Sequence, residues 1–373
     1  MTIAAIAPGS GRDFELVEVE LDELRADEVL VNVVAVGVCH TDLSASSGAI
    51  PFPLPGVLGH EGAGRVISVG SAVTRVRPGD PVIMSFTSCG RCRNCRAGHL
   101  SYCDHHLPWN LLGGRRPDGS TTVRRSGQEI NAHFFGQSSF AQTAIADERS
   151  LVRIGKDATD DDLALYAPLG CGLQTGAGAV LNVLRPASDT VLAVSGAGAV
   201  GLASVMAAAS ISVQKIIVID VVQSRLDLAI ELGASDVINA STDDVGDALL
   251  MLTESRGVDA AIETSGRTSV LETMIGALAI SGTCIVVGAP ASGSRASFDV
   301  NAQIPGRKIM GVTLGDSDPE RFIPQLIALH KSGKFPIERL ERRYRFEDIN
   351  IAAEDARSGL TIKPVLLMKK PEK

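Results

Sequence analysis

The sequence predicts an α/β chain of two parts, a β-rich antiparallel domain and a doubly wound parallel-sheet domain. Three observations predict it. The 373 residues exceed what one hydrophobic core usually organises. Strand-like patches with Gly- and Pro-rich turns run from Glu15 to Gly79-Asp80, among them Leu16-Val17-Glu18-Val19 and Val29-Leu30-Val31-Asn32-Val33. After about residue 172, strand-like runs at Thr190–Val194, Lys215–Ile219, Asp259–Glu263 and Thr283–Val287 alternate with helix-length segments, the rhythm of βαβ units. A helix over Asp318–Gly333 and a strand at Val365–Met368 close the chain.

Composition narrows the function classes. Aromatics are 4%, Gly numbers 38 and the formal net charge is −8, so a nucleic-acid partner, which needs a basic face, is not expected. Thr190–Gln214 carries no charge, but its Gly, Ala and Ser residues suit a buried strand turning into a buried helix better than a membrane span. Met1–Gly11 lacks the basic-then-apolar run of a signal peptide, and a cytoplasmic location is expected. Seven cysteines, an odd number, argue against a disulfide framework and for metal ligation.

Four of them, Cys89, Cys92, Cys95 and Cys103, follow C-x2-C-x2-C-x7-C. Two-residue gaps let neighbouring sulfurs converge on one ion. Four thiolates make a closed, structural zinc site; an iron–sulfur cluster also uses four Cys at short gaps. The remaining candidates are dispersed: Cys39 in Cys-His-Thr-Asp, His60 in Gly-His-Glu-Gly-Ala-Gly and Cys171 in Pro-Leu-Gly-Cys-Gly. Singly each suits a buried small residue or a satisfied histidine. Together they match a catalytic zinc with three protein ligands and an open fourth position. Asp42 is placed to accept a hydrogen bond from the second ring nitrogen of His60.

Val191-Leu192-Ala193-Val194 runs into Gly196-Ala-Gly198-Ala-Val200-Gly201, and Asp220 follows nineteen residues after Gly201 at the end of Ile216–Ile219. A G-x-G-x-x-G between strand and helix, with an acidic residue at that interval, is the Rossmann dinucleotide fingerprint. Its glycines let backbone N–H groups approach a pyrophosphate. A carboxylate at Asp220 suits ribose hydroxyls and opposes an extra phosphate, which favours NAD over NADP.

The stretch Gly59–Val73 fits G-H-E-x2-G-x5-G-x2-V, and with Cys39, Cys171 and the four-Cys lobe the chain resembles the zinc alcohol dehydrogenases of the medium-chain dehydrogenase/reductase family along nearly its whole length. The resemblance implies a GroES-like catalytic domain of residues 1–172 and 314–373, with its zinc lobe at about 86–105, and a Rossmann NAD-binding domain of 173–313. It implies two zinc ions per chain and Glu61 as an alternative ligand of the catalytic one. Cys284, left over, is expected on a buried strand. Among cofactor contacts it implies His40, Thr175, Val200, Arg225, Val287 and Lys363; for Arg225 and Lys363 a solvated surface charge is the competing reading. It places Thr41 at the hydroxyl position of a proton relay. Ser44 stands where relatives end that relay in a histidine, and serine is no base near neutral pH.

Phe52, Phe86, Trp109, Phe134 and Phe135 are candidates for a substrate pocket, against the ordinary role of core. The segments from Pro168 to Gly178 and Gly333-Lys-Phe-Pro-Ile are similar to aryl-alcohol (benzyl alcohol) and geraniol dehydrogenases, which implies a primary benzylic (aryl) or allylic terpenoid alcohol, oxidised reversibly to its aldehyde. Glutathione-dependent formaldehyde dehydrogenase is the alternative, with Arg115 and Arg116 as candidate cations at the cleft mouth, unless that Gly-Gly-Arg-Arg-Pro-Asp-Gly loop is a solvated turn. A non-catalytic zinc- and nucleotide-binding protein of the same fold is the alternative of another class. Relatives pair through Rossmann edge strands, implying a homodimer or homotetramer.

Overall fold

A computed structural model describes residues 1–368. The last five residues of the C-terminal segment assigned above to the catalytic domain lie outside the described residues. The chain divides into two compact units. One comprises Met1–Cys171, Asp318–Ile327 and the chain from Ile337; the other comprises Gly172–Ser317 and Ala328–Pro336.

The first unit is built on two sheets, of five and seven strands. Its central strand, Glu28–Gly37, buries Val29, Val31, Val33 and Ala35 on one face, as the two-residue side-chain period requires. That strand pairs antiparallel with Glu61–Val69, with Thr143–Asp147 and with Lys363–Leu367. Gly37 is thereby flanked by Glu61 on one side and Val365 on the other.

The second unit carries one parallel sheet of six strands. In chain order they are Val191–Ser195, Lys215–Asp220, Asp236–Asn239, Val258–Glu263, Leu278–Val286 and Lys308–Gly311. Their spatial order is third, second, first, fourth, fifth, sixth, the doubly wound Rossmann arrangement. Runs such as Ile216-Ile217-Val218-Ile219 are buried throughout, as strands covered on both faces must be. Cys284 lies in this core, fully buried on the fifth strand, where burial pushes its thiol up to about 12. The uncharged stretch Thr190–Gln214 splits into the first strand and the helix Ala199–Ser210. Among the described residues no helix is long and apolar enough to cross a membrane.

Arg116 departs from both sequence readings, being neither a cleft-mouth cation nor part of a solvated turn. Its side chain is 1% exposed. Nε and Nη2 donate to Glu28 Oε1 and Oε2 at 2.6 and 2.8 Å, and Nη1 donates to Asp22 and to Thr121 O. The guanidinium fork matches a carboxylate with two parallel bonds, which is why the loop folds inward around it. Arg115 stays half-exposed, bound to Glu129 and Asn131. Arg116→Met, leaving Glu28 buried and unpaired, is expected to cost about 3–5 kcal/mol of stability, while Arg115→Ala costs at most about 1 kcal/mol. Chemical denaturation of the two variants beside the parent checks this; equal midpoints would remove Arg116 from the folding argument.

Candidate active site

The metal-ligand candidates of the first unit converge through one carboxylate. The helix His40–Ser47 starts at Cys39, whose backbone N–H donates to Asp42 Oδ2 at 3.0 Å. Asp42 Oδ1 accepts from Gly59 N at 3.0 Å and from His60 Nδ1 at 2.9 Å. A carboxylate only accepts, so Nδ1 carries the proton and Nε2 presents its lone pair. Nε2 is buried without a hydrogen-bond partner. The ligand atoms of Cys39, His60, Glu61 and Cys171 all lie within 4.8 Å of one another. Two sulfurs and an imidazole whose buried Nε2 is left without a partner form a donor set that fits zinc. Electrostatics agree. The Cys171 thiol, with the charge of Lys363, holds the Cys39 thiol well below its ordinary range against the cost of burial.

Glu61 is held by a residue that sequence reasoning placed elsewhere. Lys363, expected at a pyrophosphate or on the surface, is 2% exposed. Its Nζ donates to Glu61 Oε1 and Oε2 at 3.0 and 2.9 Å and to Val38 O at 3.4 Å. Burial opposes a charge on Lys363, but Glu61 and Cys39 outweigh it and raise its pKa. The strand pairing explains the contact: Glu61 reaches Lys363 by crossing Gly37, where any Cβ would collide with Oε2. A glycine inside a strand marks such close approach, and that was the signal available in the sequence. Thr41 lies in the first turn of the helix, its Oγ1 3.7 Å from Cys39 Sγ. Ser44 is half-buried and His40 exposed.

The four-Cys lobe is a second cluster, its sulfurs also within 4.8 Å of one another. Backbone amides point at them. Cys89 Sγ accepts from Arg91 N and Cys92 N at 3.5 and 3.3 Å, Cys92 Sγ from Cys95 N at 3.4 Å, and Cys103 Sγ from Cys89 N and His105 N at 3.3 and 3.4 Å. Amide donors stabilise thiolate charge, and the Asp104 and Cys95 N–H groups bring the Cys92 thiol down to about 6. None of the seven cysteines is in a disulfide. This donor set fits a structural zinc.

In the second unit the first strand ends at Ser195 and the chain turns at Gly196, with φ of +90°. A Cβ on Gly201 would collide with Gly196 O, so the first and last fingerprint glycines serve the turn itself. Gly198 meets nothing within 4 Å. Asp220 Oδ2 accepts from Ala197 N at 2.6 Å and Oδ1 from Val222 N at 2.9 Å, tying the carboxylate to the loop. Thr264, which sequence reasoning missed, donates from Oγ1 to Ser195 O at 2.7 Å and Gly196 O at 3.2 Å. It follows the fourth strand, and the carboxyl ends of such strands are where ligand residues collect. Thr175 is buried on the helix Gly172–Gly178, which packs against the helix carrying Val200. Arg225 is half-buried on the helix Gln223–Glu231, and Val287 N donates to Glu263 O at 2.9 Å.

Residues 25–156 match the alcohol dehydrogenase GroES-like domain and residues 199–331 the zinc-binding dehydrogenase domain. The chain is 39% identical to geraniol dehydrogenase of Castellaniella defragrans, over 98% of this chain and 97% of that protein. It belongs to the zinc-type alcohol dehydrogenases of the medium-chain dehydrogenase/reductase family. Among solved structures, an alcohol dehydrogenase zinc-binding domain protein from Burkholderia ambifaria superposes with a TM-score of 0.95 at 46% identity. Benzyl alcohol dehydrogenase from Acinetobacter calcoaceticus gives 0.94 at 42%. Both alignments cover 99% of each chain.

The five candidate aromatic side chains of this alcohol dehydrogenase lie in three surroundings. Phe135 stacks on the His60 ring at 4.4 Å, Phe134 meets it edge-on at 5.4 Å, and Phe52 packs edge-on against Phe134. Phe86 is buried beside His106. Trp109 is not among the rings at His60: it stacks on His105 at 4.6 Å and packs against the four-Cys lobe. Asp42→Ala removes all three hydrogen bonds that orient Cys39, Gly59 and His60, and is expected to weaken metal binding there about 10–100-fold. Chelator competition checks this; undiminished metal retention would show that Asp42 does not orient the ligands.

Proposed function

We propose that this alcohol dehydrogenase oxidises small primary benzylic or allylic alcohols to aldehydes with NAD, reversibly. The observation that carries the reading is the convergence of Cys39, His60 and Cys171 on one buried point, with the His60 tautomer fixed by Asp42. A zinc ion held by those three would supply the Lewis acidity that lowers an alcohol's pKa, and the four-Cys lobe would hold a second, structural zinc. NAD held over Gly196–Gly201 would supply the hydride acceptor.

The chain's own groups do the rest. Thr41 Oγ1, beside Cys39 Sγ, takes the alcohol's proton and relays it outward. Ser44 cannot end that relay as a base, so water receives the proton. Lys363 tethers Glu61 through both carboxylate oxygens, an alternative ligand held in reserve. Asp220 accepts from the adenosine ribose hydroxyls and disfavours a 2′-phosphate, and Arg225 lies on the following helix. Thr175, Val200 and Val287 would add further cofactor contacts in the second unit.

The substrate class follows the similar geraniol and benzyl alcohol dehydrogenases and the phenylalanines around His60. The glutathione-linked alternative is weakened because Arg116 is bound to Glu28 and Asp22. A homodimer is favoured by the last Rossmann strand, Lys308–Gly311, which is an exposed sheet edge flanked by exposed Ile280 and Ile304.

Turnover of benzyl, cinnamyl and geranyl alcohols with NAD, exceeding that of formaldehyde with glutathione, is the expected result; no activity on the three alcohols rejects the substrate class. Thr41→Ala should lower kcat by about 10²–10⁴-fold, and an unchanged kcat removes Thr41 from the relay. Asp220→Ala should narrow the preference for NAD over NADP, read as the ratio of the two kcat/KM values; a parent enzyme that prefers NADP refutes the role given to Asp220.

A further inference from the structure

The turn after His133 has a strained backbone. Phe135 and Ser138 have φ of +54° and +48°, with Gly136 at +68° between them. In that region the Cβ of a bulky residue crowds the following carbonyl oxygen. Such strain persists where the surroundings over-determine it, and it concentrates at functional sites. Here the surroundings are the chain on either side of His60. Phe134 N donates to Ser138 Oγ at 2.8 Å, and that hydroxyl donates to Val57 O at 2.6 Å. Ser139 N and Phe140 N donate to Gly59 O and Leu58 O at 2.9 and 3.0 Å. Gln137 Nε2 donates to His60 O at 3.0 Å and Ser85 O at 2.7 Å, while its Oε1 accepts from Gly62 N at 3.3 Å.

Anchored in this way, the turn presents one flat surface to His60. The Phe135 ring lies 4.4 Å from the imidazole, tilted by 24°. Phe134 closes an adjoining side at 90°. Asp42 fixes one ring nitrogen and Gln137 the backbone carbonyl, but neither stops the imidazole from rocking about the Nδ1 hydrogen bond. A ring plate against its face does.

We propose that Phe135 is a positioning residue for His60, held in a strained turn so that the imidazole keeps Nε2 aimed at the point where Cys39 and Cys171 converge. This rests on the reading of His60 as a metal ligand. It gives Phe135 a role in the free protein that a substrate-wall residue lacks.

The test uses the full chain loaded with zinc, or with cobalt in its place, without alcohol or nucleotide. Zinc release to a chromogenic chelator and the cobalt d–d spectrum are recorded for Phe135→Ala and Phe135→Leu; leucine preserves bulk should alanine fail to fold. One metal should leave about tenfold faster or more while the other leaves at the parental rate, with a shifted cobalt spectrum. Parental release and spectrum in the folded leucine variant, with only KM or alcohol selectivity changed, overturn the proposal and make Phe135 a wall of the substrate pocket. A parent chain that binds one metal, insensitive to His60→Ala, overturns the metal reading and this role with it.

Discussion

The Asp42 carboxylate is the joint of the first unit's site. It accepts hydrogen bonds from Cys39 N, Gly59 N and His60 Nδ1, and it is fully buried. Each bond sets a different feature: the start of the helix that presents Thr41, the turn that leads into the Glu61 strand, and the tautomer of the imidazole. A buried carboxylate is costly unless its lone pairs are taken up. Here the same three bonds that lower that cost also fix ligands that are far apart in the chain. The site's geometry is therefore a consequence of satisfying one charge.

The other buried charges obey the same rule with different partners. Glu61 and Lys363 meet across Gly37, and Arg116 folds its loop inward to reach Glu28. Neither pair needs to add much net stability, because desolvation offsets attraction in the interior. What each pair contributes is direction: one carboxylate held beside two cysteines and a histidine, and one loop closed onto the sheet.

The sequence was most informative where chemistry repeats at fixed intervals. The four-Cys spacing, the Gly-His-Glu run and the strand–glycine–helix fingerprint were legible because each is a local pattern with a local cause. The parallel sheet followed from alternating strands and helices, while its two edge strands, Asp236–Asn239 and Lys308–Gly311, carried no such signal. The buried partners of Lys363 and Arg116 went unseen for a common reason. A lone basic residue gives no sign of its partner when that partner lies 302 or 88 residues away. Trp109 and Phe135 were grouped together by residue type, yet one packs on the four-Cys lobe and the other on His60. Side-chain type reports that a ring will be buried, and only the fold decides against what.

The fingerprint glycines show how far packing alone can explain a motif. Gly196 needs its left-handed backbone, and Gly201 needs to lack a side chain because Gly196 O lies where its Cβ would go. Both would be glycine in a protein that bound nothing. Gly198 has no such reason: its φ is −84° and nothing lies within 4 Å of a Cβ there. The chain's own atoms would accept an alanine at that position. A glycine at the mouth of a helix N-terminus, with open space over it, is explained by something outside the chain that must come close to the backbone. Packing within the second unit leaves the identity of Gly198 unexplained.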